Sequence, residues 1–414
     1  PAKWTSLLDY GRLMLFIPIR SGRKHNIASV IKKRCIDEPT ETTPHTRPLP
    51  ARRPRPDTAT LAAAVRAKLE DGNVKAAVRI ISSDEKPAPD DAATLNSLRQ
   101  RHPPAPADRR EAPEPSTCAA VQVLETDVIK AIRSFPAGSS AGPDGARPQH
   151  LLDLITCTEK GPALVTAITA LTNMLLNGRC PRDIAVLLFG GRLIALQKKS
   201  GGVRPIAIGY TWRRLAAKCA NSFALTSLGD KLLPVQVGVG TPGGCEAAVH
   251  ATRRYAALMS DDCVIVKLDF SNAFNCIRRD VMLQTVYDEL PSLYKFCHIA
   301  YGHATSLNYN GQTIMSEEGA QQGDPLGPLL FCTAIQPLLR SLNSDLAVAY
   351  MDDVTLGGRL STVENDIQTV INTGASLGLR LSRSKCELIT RTGLLNHAAL
   401  EGFQRLTPNT ATLL

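Results

Sequence analysis

The stretch AYMDDVTLGG, residues 349–358, decides how this chain is read. Ala347–Gly357 has the pattern of a strand, a two-residue turn and a second strand, with Asp352 and Asp353 at the tip. Alone, an Asp-Asp pair at a turn is an ordinary solvated hairpin tip. Set between Val348-Ala-Tyr and Val354-Thr-Leu, the two carboxylates repel each other and shift each other's titration. Some 83 residues before Asp352, CVIVKLDF (263–270) is an apolar, β-branched run that reads as a buried strand with Asp269 near its end. A carboxylate there is costly unless paired or on a metal. A divalent cation cancels both penalties. Hard cations take oxygen ligands, and Mg²⁺ commonly uses one or two carboxylates plus substrate phosphates.

Between the two acidic positions lies GAQQGDPLGP (319–328), a Gly/Pro-punctuated loop running into an apolar helix, Pro325–Leu339. Bare backbone amides and a Gln side chain suit close approach to a nucleotide. Farther upstream a hairpin is expected from strands Gly191–Lys198 and Val203–Ile208, joined by Ser200-Gly-Gly202. It carries Lys198, Lys199 and Arg204, three cations suited to gripping a triphosphate. Helical periodicity or start signals mark a helix opening at Glu125, then Leu151–Ile155, Leu164–Leu176, a basic helix Thr211–Leu225, Val281–Glu289 and Val363–Leu377. Leu379–Leu388 reads as a returning strand, and Ala137–Gly145 as a Gly-rich loop. Two short helices flank Asp71-Gly72-Asn73, and no internal repeat is present.

The 414 residues are 43% apolar and 21% charged, which excludes wholesale disorder, a collagen and a coiled-coil rod. No run of 18 apolar residues exists, so no membrane partner is expected. Residues 1–56 hold 12 Lys/Arg against 4 Asp/Glu, a net of +8, which leaves 36 against 34, a net of +2, for the rest. A basic tail suits polyanions, and a solvated linker is the plain alternative. Of the 28 prolines, 13 fall between residues 36 and 115, which reads as a loosely built extension. The 11 cysteines show no C-x-x-C pair and read as structural thiols in a reducing compartment. The start at Pro1 reads as a fragment of something longer, or a conceptual translation without its start.

Taken in order, these stretches resemble the reverse transcriptase domain of non-LTR retrotransposons over residues 125–395. LIALQKKSGGVRPIAIG (193–209) is similar to the family's fingers hairpin, and VIVKLDFSNAFN (264–275) to its first palm motif. EGAQQGDPLGPLLF (318–331) is similar to its template/nucleotide loop, AYMDDVTLGG to its catalytic hairpin, and GLRLSRSKCEL (378–388) to its fourth palm motif. LPVQVGVGTPGGCEAAVHATR (233–253) resembles the segment preceding the palm.

The resemblance implies an α+β, right-hand polymerase fold: fingers, and a palm of antiparallel strands backed by helices, with the thumb missing or truncated. It implies an N-terminal extension over 1–117, fingers over 118–262, a palm over 263–395 (with part of 276–320 returning to the fingers) and a truncated tail over 396–414. It implies RNA-directed DNA synthesis inside the cell, in nucleus or cytoplasm, with an RNA template, a DNA primer and dNTPs as partners. Two Mg²⁺ ions, or Mn²⁺, would be held by Asp269, Asp352, Asp353 and the Phe270 carbonyl. Lys198, Lys199 and Arg204 would hold the triphosphate, and Gln322 and Gly323 would touch nucleotide and template. Phe274 stands at the sugar gate, and Lys385 is a candidate general acid, equally readable as a solvated lysine. Ser382 stands where an Asn is common, and Asn275 where an Asp is often seen. A truncated or domesticated RNA-binding protein without synthesis is the alternative reading. An RNA-dependent RNA polymerase is disfavoured by the bulk of Phe274.

Overall fold

The computed structural model describes residues 2–14, 62–63, 65–66, 69, 74–82, 86–157, 159–198, 201–391 and 398–407. The basic positions between Arg20 and Arg55, and Lys199, lie outside the described residues.

The chain opens with α1 (Ala2–Met14), α2 (Val74–Ser82), β1 (Lys86–Pro87) and α3 (Ala92–Gln100). A helical layer follows: α4 (Glu125–Arg133), α5 (Pro148–Cys157), α6 (Gly161–Leu176) and α7 (Arg182–Leu188). In α4 the Asp127 carboxylate accepts the Leu124 N–H, and Glu125 and Asp127 place negative charge where the helix dipole favours it. The hairpin β2 (Gly191–Gln197) and β3 (Val203–Ile208) leads into α8 (Thr211–Leu228) and α9 (Gly244–Leu258). Next come β4 (Cys263–Leu268), α10 (Ala273–Cys276), α11 (Arg279–Glu289), α12 (Pro291–Tyr301), β5 (Thr305–Tyr309) and β6 (Gln312–Ser316). The chain closes with α13 (Gly327–Arg340), β7 (Leu346–Tyr350), β8 (Asp353–Arg359), α14 (Leu360–Ser376), β9 (Glu387–Ile389) and β10 (Gln404–Leu406).

The strands form two sheets. In the first, β2 pairs antiparallel with β1 and β3 and parallel with β5, which pairs with β6. In the second the order is β10-β9-β4-β8-β7, antiparallel except for β10 beside β9. This mixture of segregated sheets and helices is α+β. Alternation along β4 explains its position. Val264, Val266 and Leu268 face the main core with α13 and α14, while Cys263 and Ile265 join Met259 and Ile389 on the other face. Both faces are buried, which is why the strand reads as a continuous apolar run. Helix α13 is buried nearly throughout and carries Pro328 in its first turn, where a missing N–H is harmless.

Three expectations need correction. The N-terminal extension is not loose where it is described: Leu8 enters the main core, β1 adds to β2, and Leu98 of α3 is fully buried against Leu193, Ala195 and Val203. Residues 105–118 strap the body through charged side chains. Arg110 meets Asp280, Asp108 meets Arg278, and Arg109 meets Glu318. Prolines there lack N–H donors, so side chains supply the contacts. The tail past 396 is not merely an end, because β10 extends the second sheet and Leu400 and Phe403 join the core. The strand expected over Leu379–Leu388 is reduced to Glu387–Ile389, because a single turn at Arg383–Lys385 bends the chain away from the sheet.

Candidate active site

Register brings the acidic positions together. β4 and β8 pair through Leu268 and Val354, and the hairpin closes at Tyr350 opposite Asp353. Carried on by one residue, that antiparallel register sets Asp269 opposite Asp353; carried on by two, it sets Phe270 opposite Asp352. On the other side Phe270 faces Leu381 as a bridge flanked by two hydrogen bonds, Ser382 N–H to the Asp269 carbonyl and Ser271 N–H to the Arg380 carbonyl. The Phe270 C=O therefore points away from Leu381, toward the turn that carries Asp352.

The proximity shifts the titration of these carboxyls. Burial first, then Asp353 and Asp269, push the Asp352 carboxyl up to about 6, with Lys198 working the other way. Burial and Asp269 raise Asp353 as well, and Lys267 partly offsets them. Oδ1 of Asp269 is buried and takes no hydrogen bond, and the Lys385 ammonium stands 3.9 Å from it. Among the described residues no group of three or more His, Cys, Asp or Glu side chains is closed around a metal position. The donor set nevertheless fits a hard divalent cation. An orphaned carboxylate oxygen and mutually repelling carboxylates are what such an ion satisfies, with phosphate oxygens completing its shell.

The turn carrying Asp352 is held in an unusual shape. Met351 has φ +59°, a left-handed conformation that a side chain rarely adopts. The fully buried Gln236 fixes it with both ends of its amide, donating to the Met351 carbonyl at 3.0 Å and accepting the Met351 N–H at 2.8 Å. Gln236 in turn lies on a short parallel bridge to Ala349. Sequence reading missed Gln236, although one signal was present: it is the lone polar residue in the apolar run Leu233–Val239.

A second polar cluster holds the 319–328 loop. Arg213, 2% exposed, donates to Asp324 at 2.8 Å and to Gln321 and the Phe189 carbonyl. Tyr301 donates to the same Asp324 oxygen, and Gln321 donates to Thr305 at 2.9 Å. Burial would lower the Arg213 guanidinium, but Asp324 and Tyr301 outweigh it and leave it raised. Arg213 and Arg214 of the expected basic helix are thus buried framework. Arg279, fully buried, staples the loop's start by donating to the Ser316 and Gly319 carbonyls, and burial pushes it down to about 10. The loop then runs along β3: the Ala207 N–H donates to the Gln322 carbonyl at 2.7 Å, and Gly323 adopts φ +114°. A Cβ at Gly323 would stand 2.4 Å from the Ala207 carbonyl oxygen, so only glycine fits this approach.

The remaining candidates fall around these two clusters. Phe274 is half-buried and stacks on Phe331 with ring centroids 4.7 Å apart. Lys198 is half-buried at the end of β2; burial first, then Arg101, Lys385 and Arg204, lower its ammonium, with Asp269 opposing. Arg204 is exposed on β3, opposite Leu196.

The family model described as reverse transcriptase (RNA-dependent DNA polymerase) matches residues 196–405. That is half of the chain. The chain belongs to the reverse transcriptase family. The matched region contains every candidate discussed above from Lys198 to Lys385. The chain is also 29% identical over 285 residues to the retrotransposable element SLACS 132 kDa protein of Trypanosoma brucei gambiense, covering 66% of this chain and 23% of that protein. It is 26% identical over 313 residues to the retrovirus-related Pol polyprotein from type-2 retrotransposable element R2DM of Drosophila melanogaster, covering 66% of this chain and 28% of that protein. The chain thus spans about a quarter of the length of the curated relatives it matches. Both relatives are retrotransposon proteins, in line with a non-LTR reverse transcriptase domain. Among the described residues no helix is long and apolar enough to cross a membrane.

Proposed function

We propose that this reverse transcriptase domain adds dNTPs to the 3′-hydroxyl of a primer on an RNA template. The observation that carries the reading is the β4–β8 register, which sets Asp269 beside Asp353 and Asp352 at one sheet end, with Lys198 within electrostatic reach. In this reading the second sheet is the palm, and the first sheet, including residues 305–316, belongs to the fingers. Asp269, Asp352, Asp353 and the Phe270 carbonyl would hold two Mg²⁺ ions, with Mn²⁺ as a substitute. When bound, the ions lower the pKa of the primer hydroxyl and stabilise charge on the leaving pyrophosphate.

The chain's own residues do the rest. Lys198 and Arg204 neutralise the triphosphate, with Lys199 as a third cation of the same hairpin. Gln236 keeps the Asp352 turn in its left-handed shape. The Arg213–Asp324–Gln321 cluster fixes the loop on which Gln322 and Gly323 meet nucleotide and template. Phe274, backed by Phe331, walls off the space beside the sugar and excludes a 2′-hydroxyl. Lys385, 3.9 Å from Asp269, would give a proton to pyrophosphate. The test is extension of a DNA primer on an RNA template with dNTPs and Mg²⁺, comparing the unaltered chain with Asp352→Asn. Synthesis that depends on Asp352 is expected. A chain that binds RNA but extends no primer would overturn the reading in favour of a non-catalytic RNA-binding protein.

A further inference from the structure

A cavity of about 400 Å³ opens against Ser271, Asn272 and Cys276, and its cations come from two distant parts of the chain. Its wall is formed by Arg101, Ser271, Asn272, Cys276, Gly378 and Arg380. Ser271 and Asn272 follow directly on Asp269 and Phe270. Arg101 caps α3, in the segment that sequence reading took for a loose extension.

Arg101 is held in place from several sides. Its N–H closes the last turn of α3. Its carbonyl accepts from the Asn272 side chain at 2.9 Å, and Asn272 itself sits in the left-handed region at φ +54°. Its guanidinium lies against the hairpin turn, since a Cβ on Gly202 would come within 3.4 Å of Nη2. Nε of Arg101 is buried and has no hydrogen-bond partner. A buried guanidinium nitrogen left unsatisfied is costly, and an anionic acceptor is what would satisfy it. Arg101 and Arg380 both act on Cys276, and Arg101, Lys385 and Arg204 all act on Lys198. The cavity is thus walled by residues that follow directly on Asp269 and Phe270, and its Arg101 lies against Gly202 of the cation hairpin.

We propose that Arg101, with Arg380, binds the terminal phosphates of the incoming nucleoside triphosphate, so that the N-terminal segment supplies a substrate-contacting residue to the polymerase site. The assignment rests on the polymerase reading above. A triphosphate whose reacting end is held at Asp269 and Asp352 extends over several ångströms, and the fixed fork of an arginine suits phosphate oxygens in a way a lysine does not. The hairpin cations cover one side of that anion, and Arg101 and Arg380 cover the side facing residues 271–276.

The test uses the full chain on an RNA template with a dideoxy-terminated primer, measuring the Kd of the matched dNTP by stabilisation of the complex in a gel shift. The KM for dNTP is measured on an extendable primer. Arg101→Gln is expected to raise both about ten- to hundredfold, the equivalent of losing one charge-assisted hydrogen bond, and to leave the Kd for primer–template within about twofold. Arg101→Lys should recover part of the loss. If Arg101→Gln lowers the melting temperature, Arg380→Gln carries the test, since Arg380 is exposed, and it must raise the dNTP Kd on a stable fold. An unchanged dNTP Kd, or a weakened primer–template Kd with the dNTP Kd intact, would overturn the assignment. The second outcome would give the pocket to a backbone phosphate of the nucleic acid. Absence of extension and of dNTP binding by the unaltered chain would overturn the polymerase reading itself.

Discussion

Two clusters of charged residues sit near the ends of the two sheets, and they are built on opposite rules. Around Arg213, every charge has a partner: Asp324 receives Arg213, Tyr301 and the Leu326 N–H, while Gln321 spends its amide on Phe189 and Thr305. Around Asp269 hydrogen-bond partners are missing: Asp269 Oδ1 takes none, with the Lys385 ammonium at 3.9 Å, and burial together with its acidic neighbours pushes Asp352 up. A buried network with all its members satisfied is rigid and specifies one geometry. A cluster left unsatisfied stores repulsion that a ligand can release. The satisfied cluster is framework for the loop, and the unsatisfied one is where the proposed chemistry would take place.

The sharpest way to break this contrast is Asp352→Asn. Synthesis should fall by roughly 10³-fold or more, since several kcal/mol of charge stabilisation goes with the carboxylate. Stability should move the other way. The folded carboxyl titrates at about 6, above the roughly 3.9 of an unfolded chain, so the folded state holds a proton that the unfolded state has lost. Without metal, stability declines as pH rises from about 4 to 6 and stays lower above it. Asn removes that decline, so at pH 7 the metal-free variant should gain about 1–3 kcal/mol in urea unfolding. A loss of stability at pH 7 would show that the acidic cluster is already compensated.

Arg213→Gln attacks the satisfied cluster. Removing one member of a buried ion pair strands the other, and the expected loss is about 3–5 kcal/mol. The double change Arg213→Met with Asp324→Leu should lose less, which thermal melts of both variants would read directly. Equal losses in single and double variants would mean that packing, not charge pairing, holds the loop.

Gln236→Leu tests whether the framework rule extends into the catalytic turn. Two backbone groups of Met351 lose their partner, worth about 1–3 kcal/mol of stability. kcat should fall while the KM for dNTP holds, because the turn positions Asp352 and not the triphosphate. A changed KM with an unchanged kcat would move Gln236 to a different role. The smallest expected effect is at Phe274. Phe274→Val opens the space beside the sugar while keeping part of the stack on Phe331, and ribonucleotide use relative to deoxyribonucleotide use should rise by about 1–3 kcal/mol in kcat/KM. Equal use of both sugars by the unaltered chain would remove the gate from Phe274.

Much of the acidic site was legible because its residues lie in short, regular stretches. The period of CVIVKLDF marks β4, and the flanks of the Asp-Asp turn mark β7 and β8. Both stretches obey local rules of alternation and turn composition. Lys385 was placed at the site only by resemblance, and the structure brings it beside Asp269. The framework was not legible. Arg213 in a run of Trp-Arg-Arg looks like a solvated basic face, and its burial follows from α8 packing against α4 and α6, with Arg213 meeting the Phe189 carbonyl and the 319–328 loop. The Pro-rich stretch before Cys118 looks like a linker, because local composition cannot show that Asp108, Arg109 and Arg110 have partners some 170 to 210 residues away.

The sequence by itself determined the strands of the cation hairpin, β4 and the acidic hairpin, the Gly-punctuated loop and the family they resemble, because these depend on side-chain periodicity and on neighbours a few residues apart. The tertiary structure alone decided that β10 closes one edge of the second sheet, that Gln236 clamps Met351, that Arg213 is buried, and that Arg101 of the N-terminal segment shares a cavity wall with Ser271, Asn272 and Arg380. Each of these joins residues far apart in the chain. Long side chains such as Arg and Gln have no fixed inside or outside; which one they take depends on whether a distant partner arrives to satisfy their hydrogen bonds once water is excluded.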